Sequence, residues 1–222
     1  MSKRDLLIEI GTEELPPKAL NTLSQAFTQS IAEQLQSEAL HSDAITAYAS
    51  PRRLAVLISG LDEQAPDKAI EKWGPPVKVA FKDGQPTKAA EAFASGNGIA
   101  LEDLNNYIAN DGKQDKLCYR STQAGSLSKA LVAGITEQAL ASLPIPKRMR
   151  WGAKREQFVR PVHWIIMLFG DEVISDSVMG IEAGRDSRGH RFHSQGAISI
   201  QSPSSYVEQM ESQGKVIVDS ER

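Results

Sequence analysis

Apolar positions in the first sixty residues change their period twice. Leu6–Ile10 is a short apolar run closed by Gly11, which predicts a strand. Leu20, Leu23, Phe27, Ile31 and Leu35 then recur at helical spacing, and Pro16 and Pro17 suit a first turn, so an amphipathic helix is expected over Pro17–Leu40. Glu13 and Glu14 stand just ahead of it, where carboxylates complement the positive end of the helix dipole. An acid/base pair is the other reading of these two residues, but adjacent carboxylates rarely converge on one substrate atom. Ala44–Tyr48 and Leu54–Leu61 read as strands around the turn ASPRR, completing a β-α-β-β unit.

Further along, Gln64–Lys72 reads as a polar connector and Pro75–Phe81 as a strand. An Asp83-Gly84 turn and a helix over Thr87–Gly96, capped by Thr87, follow. Asn105–Asn110 and Lys116–Ser121 flank Asp111-Gly112 with near-alternating polarity, the signature of a hairpin. Ser126–Leu143 carries Leu127, Leu131, Ile135, Ala139 and Leu143 on one helical stripe, and Pro144 and Pro146 stop it. Phe158–Phe169, Glu172–Ile174, Val178–Glu182, Ala197–Gln201 and Lys215–Val218 read as strands, with a helix over Ser205–Ser212. Strands and helices alternate without a regular crossover, so the fold class is α+β, with mixed or antiparallel sheets, packed helices and two subdomains. The expected division is an N-terminal α+β region over 1–145 and a basic α+β region over 146–222. The closing VIVDSER offers Asp219 or Ser220 as a cap for a further helix, so the chain reads as cut from a longer one.

Composition narrows the class. With 41% hydrophobic and 24% charged residues, the chain has an ordinary globular balance, and no apolar run approaches the roughly 20 residues needed to span a bilayer. The N-terminus lacks a signal-peptide pattern, and the single Cys118 leaves no intrachain disulfide framework, so no membrane association and a cytoplasmic setting are expected. The net charge of −3 conceals a segregation. Residues 147–193 hold nine Lys/Arg against six acids, while the remainder holds 16 against 22. PIPKRMRWG concentrates Lys147, Arg148 and Arg150 beside Trp151, with Lys154 and Arg155 following. GRDSRGHRFH carries Arg185, Arg188 and Arg191 together with Gly184 and Gly189, glycines that let backbone N–H groups approach a phosphate. A polyanion-facing surface and ordinary ion pairing both account for such clusters. Trp151 serves either as a stacking platform for a base or as packing.

Catalytic signatures are sparse. Neither GxxxxGK[ST] nor GxGxxG occurs, and GxSxG is missing as well. Ser187, Ser194, His190 and His193 are present, but presence does not make a triad. His190 and His193, with Asp186, invite a zinc reading. In an extended segment the two imidazoles point to opposite faces, however, and three arginines repel a cation. His163 sits inside an apolar run and reads as a hydrogen-bonded core or edge residue rather than a catalyst.

The blocks LLIEIGTEELPPKAL, ASPRRLAVLI, WGPPVKVAFKDGQPTKAAEAFA, IPKRMRWG, FVRPVHWIIMLFGDEV and GRDSRGHRFHSQG occur in this order. By them the chain closely resembles the N-terminal part of the β subunit of bacterial heterotetrameric glycyl-tRNA synthetase, over essentially its whole length. The resemblance implies an α2β2 ligase that joins glycine to its tRNA with ATP and magnesium, using the α subunit's catalytic core. The β subunit then supplies binding of tRNA for glycine and assembly with α. It also implies a region similar to the editing-type domain of the phenylalanyl-tRNA synthetase β chain, for which Phe158–Asp219 is the candidate. On this basis no catalytic residue, metal or cofactor is expected in the chain. Lys147, Arg148, Arg150, Trp151, Lys154, Arg155, Arg185, Arg188 and Arg191 are the expected RNA contacts. An aminoacyl-tRNA deacylase and a pure scaffold for α remain the competing readings.

Overall fold

The run Lys3–Thr12 (β1) is the axis around which the fold is arranged, because its side chains are buried on both faces from Leu6 onward. A computed structural model describes residues 2–144, 149–150 and 157–219. In chain order, β1 is followed by α1 (Leu20–Ser37), β2 (Ala44–Ser50) and β3 (Arg53–Asp62). Then come β4 (Lys68–Pro76), α2 (Val77–Ala80), β5 (Phe81–Lys82), β6 (Gln85–Pro86), α3 (Lys88–Asn97), β7 (Ile108–Asn110) and β8 (Asp115–Gln123). The chain continues through α4 (Ser128–Ala141), β9 (Met149–Arg150), β10 (Gln157–Phe158), β11 (Val162–Phe169) and β12 (Glu172–Val173). It closes with β13 (Ser177–Val178), β14 (Ile181–Gly184), β15 (Asp186–Arg188), β16 (Ala197–Ser199) and α5 (Tyr206–Ser212). The elements fall into two compact units, one formed by Asp67–Gly125 and the other by the residues on either side of it.

In the larger unit, seven of the described strands form one sheet ordered β13-β14-β11-β1-β3-β2, with β12 also on β11, while β9 pairs with β10 and β15 with β16 separately. All its pairs are antiparallel except β11 with β14. This sheet pairs β1 with β11, so it joins strands from both sides of the division read at 145/146. One face carries Leu6, Ile8, Ile10, Val56 and Met167 against Phe27 and Ile31 of α1 and Ile135 and Ala139 of α4. Burial of each large side chain here contributes about 1.5–3 kcal/mol. The other face carries Leu7, Ala55, Ile166 and Leu168 against Ile198, Tyr206, Met210 and Val218 from the C-terminal segment. Two covered faces explain why WIIMLF reads as one unbroken apolar run.

The smaller unit is built on β4, β8 and β7, with the β7–β8 hairpin closing at Asp111-Gly112 as expected. Ala90 and Ala94 of α3 pack on Leu104 and Leu117 to make its core.

Several expected boundaries move. Lys68–Lys72, read as connector, begins β4, and Val77–Ala80, read as strand, is a helical turn. The strand is legible only through its pairing with β8, because its first five residues are mostly exposed and include Lys68, Glu71 and Lys72. Val178–Glu182 splits into two short strands because Met179 and Gly180 adopt positive φ, which makes a hairpin turn. Among the described residues Lys215–Val218 joins no strand; the Val218 carbonyl accepts a bond from the Ala49 N–H, and the Val216 N–H donates to the Met210 carbonyl. The α4 stripe is shifted, with Leu127 at the cap position and 47% exposed while Val132, Ile135, Ala139 and Leu140 are buried.

Candidate nucleic-acid interface

Glu9 is the polar residue in the apolar run of β1, and it is fully buried. Its Oε1 accepts hydrogen bonds from Trp164 Nε1 at 2.6 Å and from Ser187 Oγ. Its Oε2 accepts one from the Tyr206 hydroxyl and lies 3.5 Å from Nη1 of Arg53, which is 1% exposed. Arg53 also donates from Nε to Ser50 Oγ at 2.8 Å, from Nη1 to Ser187 Oγ at 2.9 Å and from Nη2 to the Arg188 carbonyl at 2.5 Å. Burial and the adjacent Glu9 carboxylate push the Tyr206 hydroxyl well above its ordinary value, so it stays a donor. Gly11 is required beside this network, since a Cβ there would lie 1.8 Å from the Trp164 ring.

The network fixes what lies outside it. By holding the Arg188 carbonyl, Arg53 ties the loop after β15 to the β2–β3 turn that bears Arg52. That turn is itself held by Thr12 N–H on the Arg52 carbonyl at 2.8 Å and Leu15 N–H on the Pro51 carbonyl at 2.6 Å. On the loop, His190 N–H donates to the Gly214 carbonyl at 2.6 Å, and a Cβ at Gly189 would lie 2.4 Å from Ser194 Oγ and 2.5 Å from that carbonyl. Two neighbouring arginines thus take opposite roles. Arg53 is neutralised inside, and Arg52 faces outward.

Two cavities flank Arg52 and Arg191. The larger, of about 450 Å³, is walled by Pro51, His190, Phe192, Lys215 and Ile217 as well as by both arginines and Glu14. The smaller, of about 360 Å³, adds Glu13 and His163 to Glu14 and the two arginines. Burial and the guanidinium charges of Arg53, Arg191 and Arg188 lower the pKa of Arg52, and Glu14 opposes them. Among the described residues, no carboxylate lies within 4.0 Å of the charged atoms of Arg52, Arg188, Arg191 or Lys215. The site is an under-neutralised cationic cluster, an environment that stabilises an anion.

The expected residues separate accordingly. Arg191 lines both cavities with Arg52, and Arg188 adds its charge to the surroundings of Arg52 but, like Arg185, lines neither cavity; Arg185 donates to the Asp171 carbonyl. Arg150 lies in β9, paired with Gln157 of β10. Lys147, Arg148, Trp151, Lys154 and Arg155 lie outside the described residues. Arg160 donates to the Glu14 and Val159 carbonyls. The capping role expected of Glu13 and Glu14 is corrected: the helical turn starts at Pro17, and neither it nor α1 has a side-chain cap. Buried Leu15, bonded back to Pro51, holds both acids outside the helix. Glu13 Oε1 instead lies 3.5 Å from His163 Nε2, and Glu14 lines the cavities beside Arg52. His163 is 46% exposed on its side chain and lines a cavity, so it is an edge residue. His190 and His193 do share a side, with ring centroids 4.5 Å apart. Among the described residues, no group of three His, Cys, Asp or Glu side chains is placed to hold a metal. The sequence reading missed Arg52, Phe192 and Lys215. The paired arginines of ASPRR were the available signal for the first.

Comparison with known proteins agrees with the blocks quoted from the sequence. A family model described as "Glycyl-tRNA synthetase beta subunit" matches residues 6–222. The chain is 48% identical over 222 residues to the glycine–tRNA ligase beta subunit of Hahella chejuensis, covering 100% of this chain and 32% of that protein. The corresponding subunit of Pseudomonas fluorescens is 50% identical over 208 residues, 93% of this chain and 30% of that protein. That of Chromohalobacter salexigens is 45% identical over 222 residues, 100% and 32% respectively. The chain therefore spans about a third of the length of these relatives. On this evidence the chain belongs to the glycyl-tRNA synthetase β-subunit family.

Proposed function

We propose that this chain serves glycine–tRNA ligase as a non-catalytic part of its β subunit, binding the phosphate backbone of tRNA through the cationic edge formed by Arg52, Arg188 and Arg191. The observation that carries this is that Arg52 and Arg191 line the same two cavities, with the charge of Arg188 also felt at Arg52, and that none of the three has a carboxylate within 4.0 Å among the described residues. Arginine suits the task because its planar fork pairs bidentately with phosphate oxygens. The segment bearing Lys147, Arg148, Arg150, Trp151, Lys154 and Arg155 follows α4 in the chain and extends the basic stretch. ATP and magnesium belong, on this reading, to the catalytic α subunit in an α2β2 cytoplasmic enzyme. Residues of this chain orient tRNA and do not touch the reacting carboxyl group.

Crosslinking of the α2β2 enzyme to tRNA for glycine, mapped by mass spectrometry, tests this. Crosslinks at 51–52 and 188–193 are expected. Crosslinks confined to the rest of the β subunit would overturn the assignment. One observation favours a second reading, that of an editing-type deacylase: Glu13 and His163 form an acid/base pair at the rim of an arginine-lined cavity. Under that reading His163→Ala abolishes hydrolysis of mischarged tRNA; under ours the chain has no such hydrolysis to lose.

A further inference from the structure

We propose that the larger cavity takes one unpaired nucleotide of an RNA strand, with its base on the Phe192 ring and its phosphate on Arg52 and Arg191. This rests on the RNA-binding reading and narrows it from phosphate backbone in general to unstacked, single-stranded RNA.

Phe192 is 79% exposed, yet it is not a stray surface aromatic. Its backbone N–H donates to His190 Nδ1 at 3.2 Å, and the loop closes through Ser194 N–H on the His190 carbonyl at 3.0 Å. The ring is thus presented from a bonded turn, which limits the ordering cost when a ligand arrives. Pro51, Val216 and Ile217 give the cavity apolar wall, and Ile217 is itself 58% exposed. The guanidinium of Arg191 lies 5.5 Å from the Phe192 ring centroid, so cationic and π surfaces stand side by side.

That combination selects a ligand class. Apolar wall alone would suit any hydrophobic group, and arginines alone would suit any polyanion. A nucleotide joins a flat π-face to a phosphate, and stacking on an aromatic side chain is how single strands are held without regard to base identity. A paired base keeps both faces inside its own helix and cannot reach a ring set in a cavity. Glu14 is the acid in this wall, outnumbered by Arg52, Arg191 and Lys215. The volume of about 450 Å³ lies within the roughly 300–1,000 Å³ of small-ligand pockets.

The test compares Phe192→Ala and Phe192→Trp in the full chain, using a labelled unstructured oligoribonucleotide and an RNA stem of equal length. Phe192→Ala is expected to weaken single-strand binding by roughly 5- to 150-fold, the range for losing one base–aromatic stack, and to leave stem binding unchanged. Phe192→Trp should retain single-strand affinity. Equal effects on both RNAs, or none on the single strand, overturn the proposal. AMP displacing the single strand at matched concentration would reassign the cavity to free nucleotides and overturn it too. If Arg52→Ala weakens both RNAs while Phe192→Ala changes neither, the nucleotide pocket fails and the phosphate-binding reading survives. If the chain binds no RNA, both fail.

Discussion

On the helix-covered face of the sheet, Phe27, Ile31, Ile135 and Ala139 meet Leu6, Ile8 and Ile10 through apolar contact. On the opposite face, Leu7, Ile166 and Leu168 surround a buried carboxylate, guanidinium, hydroxyl and phenol joined by hydrogen bonds. The difference follows from what covers each face. α1 has 18 residues and α4 has 14, long enough to present a continuous apolar stripe. The C-terminal segment offers a short hairpin and a seven-residue helix, which bury Ile198, Ile200, Tyr206 and Met210 on the sheet but present no long helical stripe. Glu9 and Arg53 add directional bonds to that apolar contact. A buried ion pair is weak evidence for stability, but it is directional, and here it sets where the Arg188 carbonyl and the loop beyond it must lie.

The two faces should therefore fail differently. Arg53→Ala leaves Glu9 buried without its cation and should cost about 3–5 kcal/mol in urea unfolding. In the folded fraction, amide exchange should rise at His190 and Val216, whose N–H groups bond within the C-terminal segment. Ile31→Ala, on the helix face, should cost about 2–5 kcal/mol and leave exchange at His190 unchanged. Coupled loss at both faces would erase the distinction.

Tyr206→Phe removes a bond to a charged acceptor and should cost about 1.5–3 kcal/mol near neutral pH. Because the folded pKa of Tyr206 is raised, its contribution is fully present below the ordinary value near 10 and is lost as pH rises through the folded value. Unfolding followed above pH ~10 should show this decline in the parent chain and less of it in Tyr206→Phe.

How much of this could be read from the residues depends on distance along the chain. α1, β1–β3 and the Asp111-Gly112 hairpin are legible because periodicity and turn chemistry are local signals. β4 is not legible in this way, because the exposed, charge-bearing stretch Lys68–Lys72 becomes a strand only by pairing with β8. Arg188 and Arg191 form a cluster that is local in sequence. Arg52 belongs with them only after the chain has returned, as the 134-residue separation of Arg53 and Ser187 illustrates. Glu9 inside an apolar strand was a visible irregularity, but its partners on β3, β11, β15 and α5 were not.

The smallest expected effect lies in the other unit. Lys116 and the Lys113 and Gln114 amides hold the Asp111 carboxyl down to about 2. The hairpin's gain from this group is present above the usual carboxylate range near 3.9 and lost as pH falls through about 2. A carbon-detected NMR titration of Asp111 should show that depressed midpoint, with Lys116→Ala raising it.

The most direct test of the cationic edge is the salt dependence of tRNA affinity in the parent chain and in the Arg52→Ala/Arg191→Ala double variant. If both side chains meet phosphates, the log–log slope should shrink in magnitude by about 1.4–1.8, from roughly 0.7–0.9 per contact. Parallel lines for the two proteins would contradict the account.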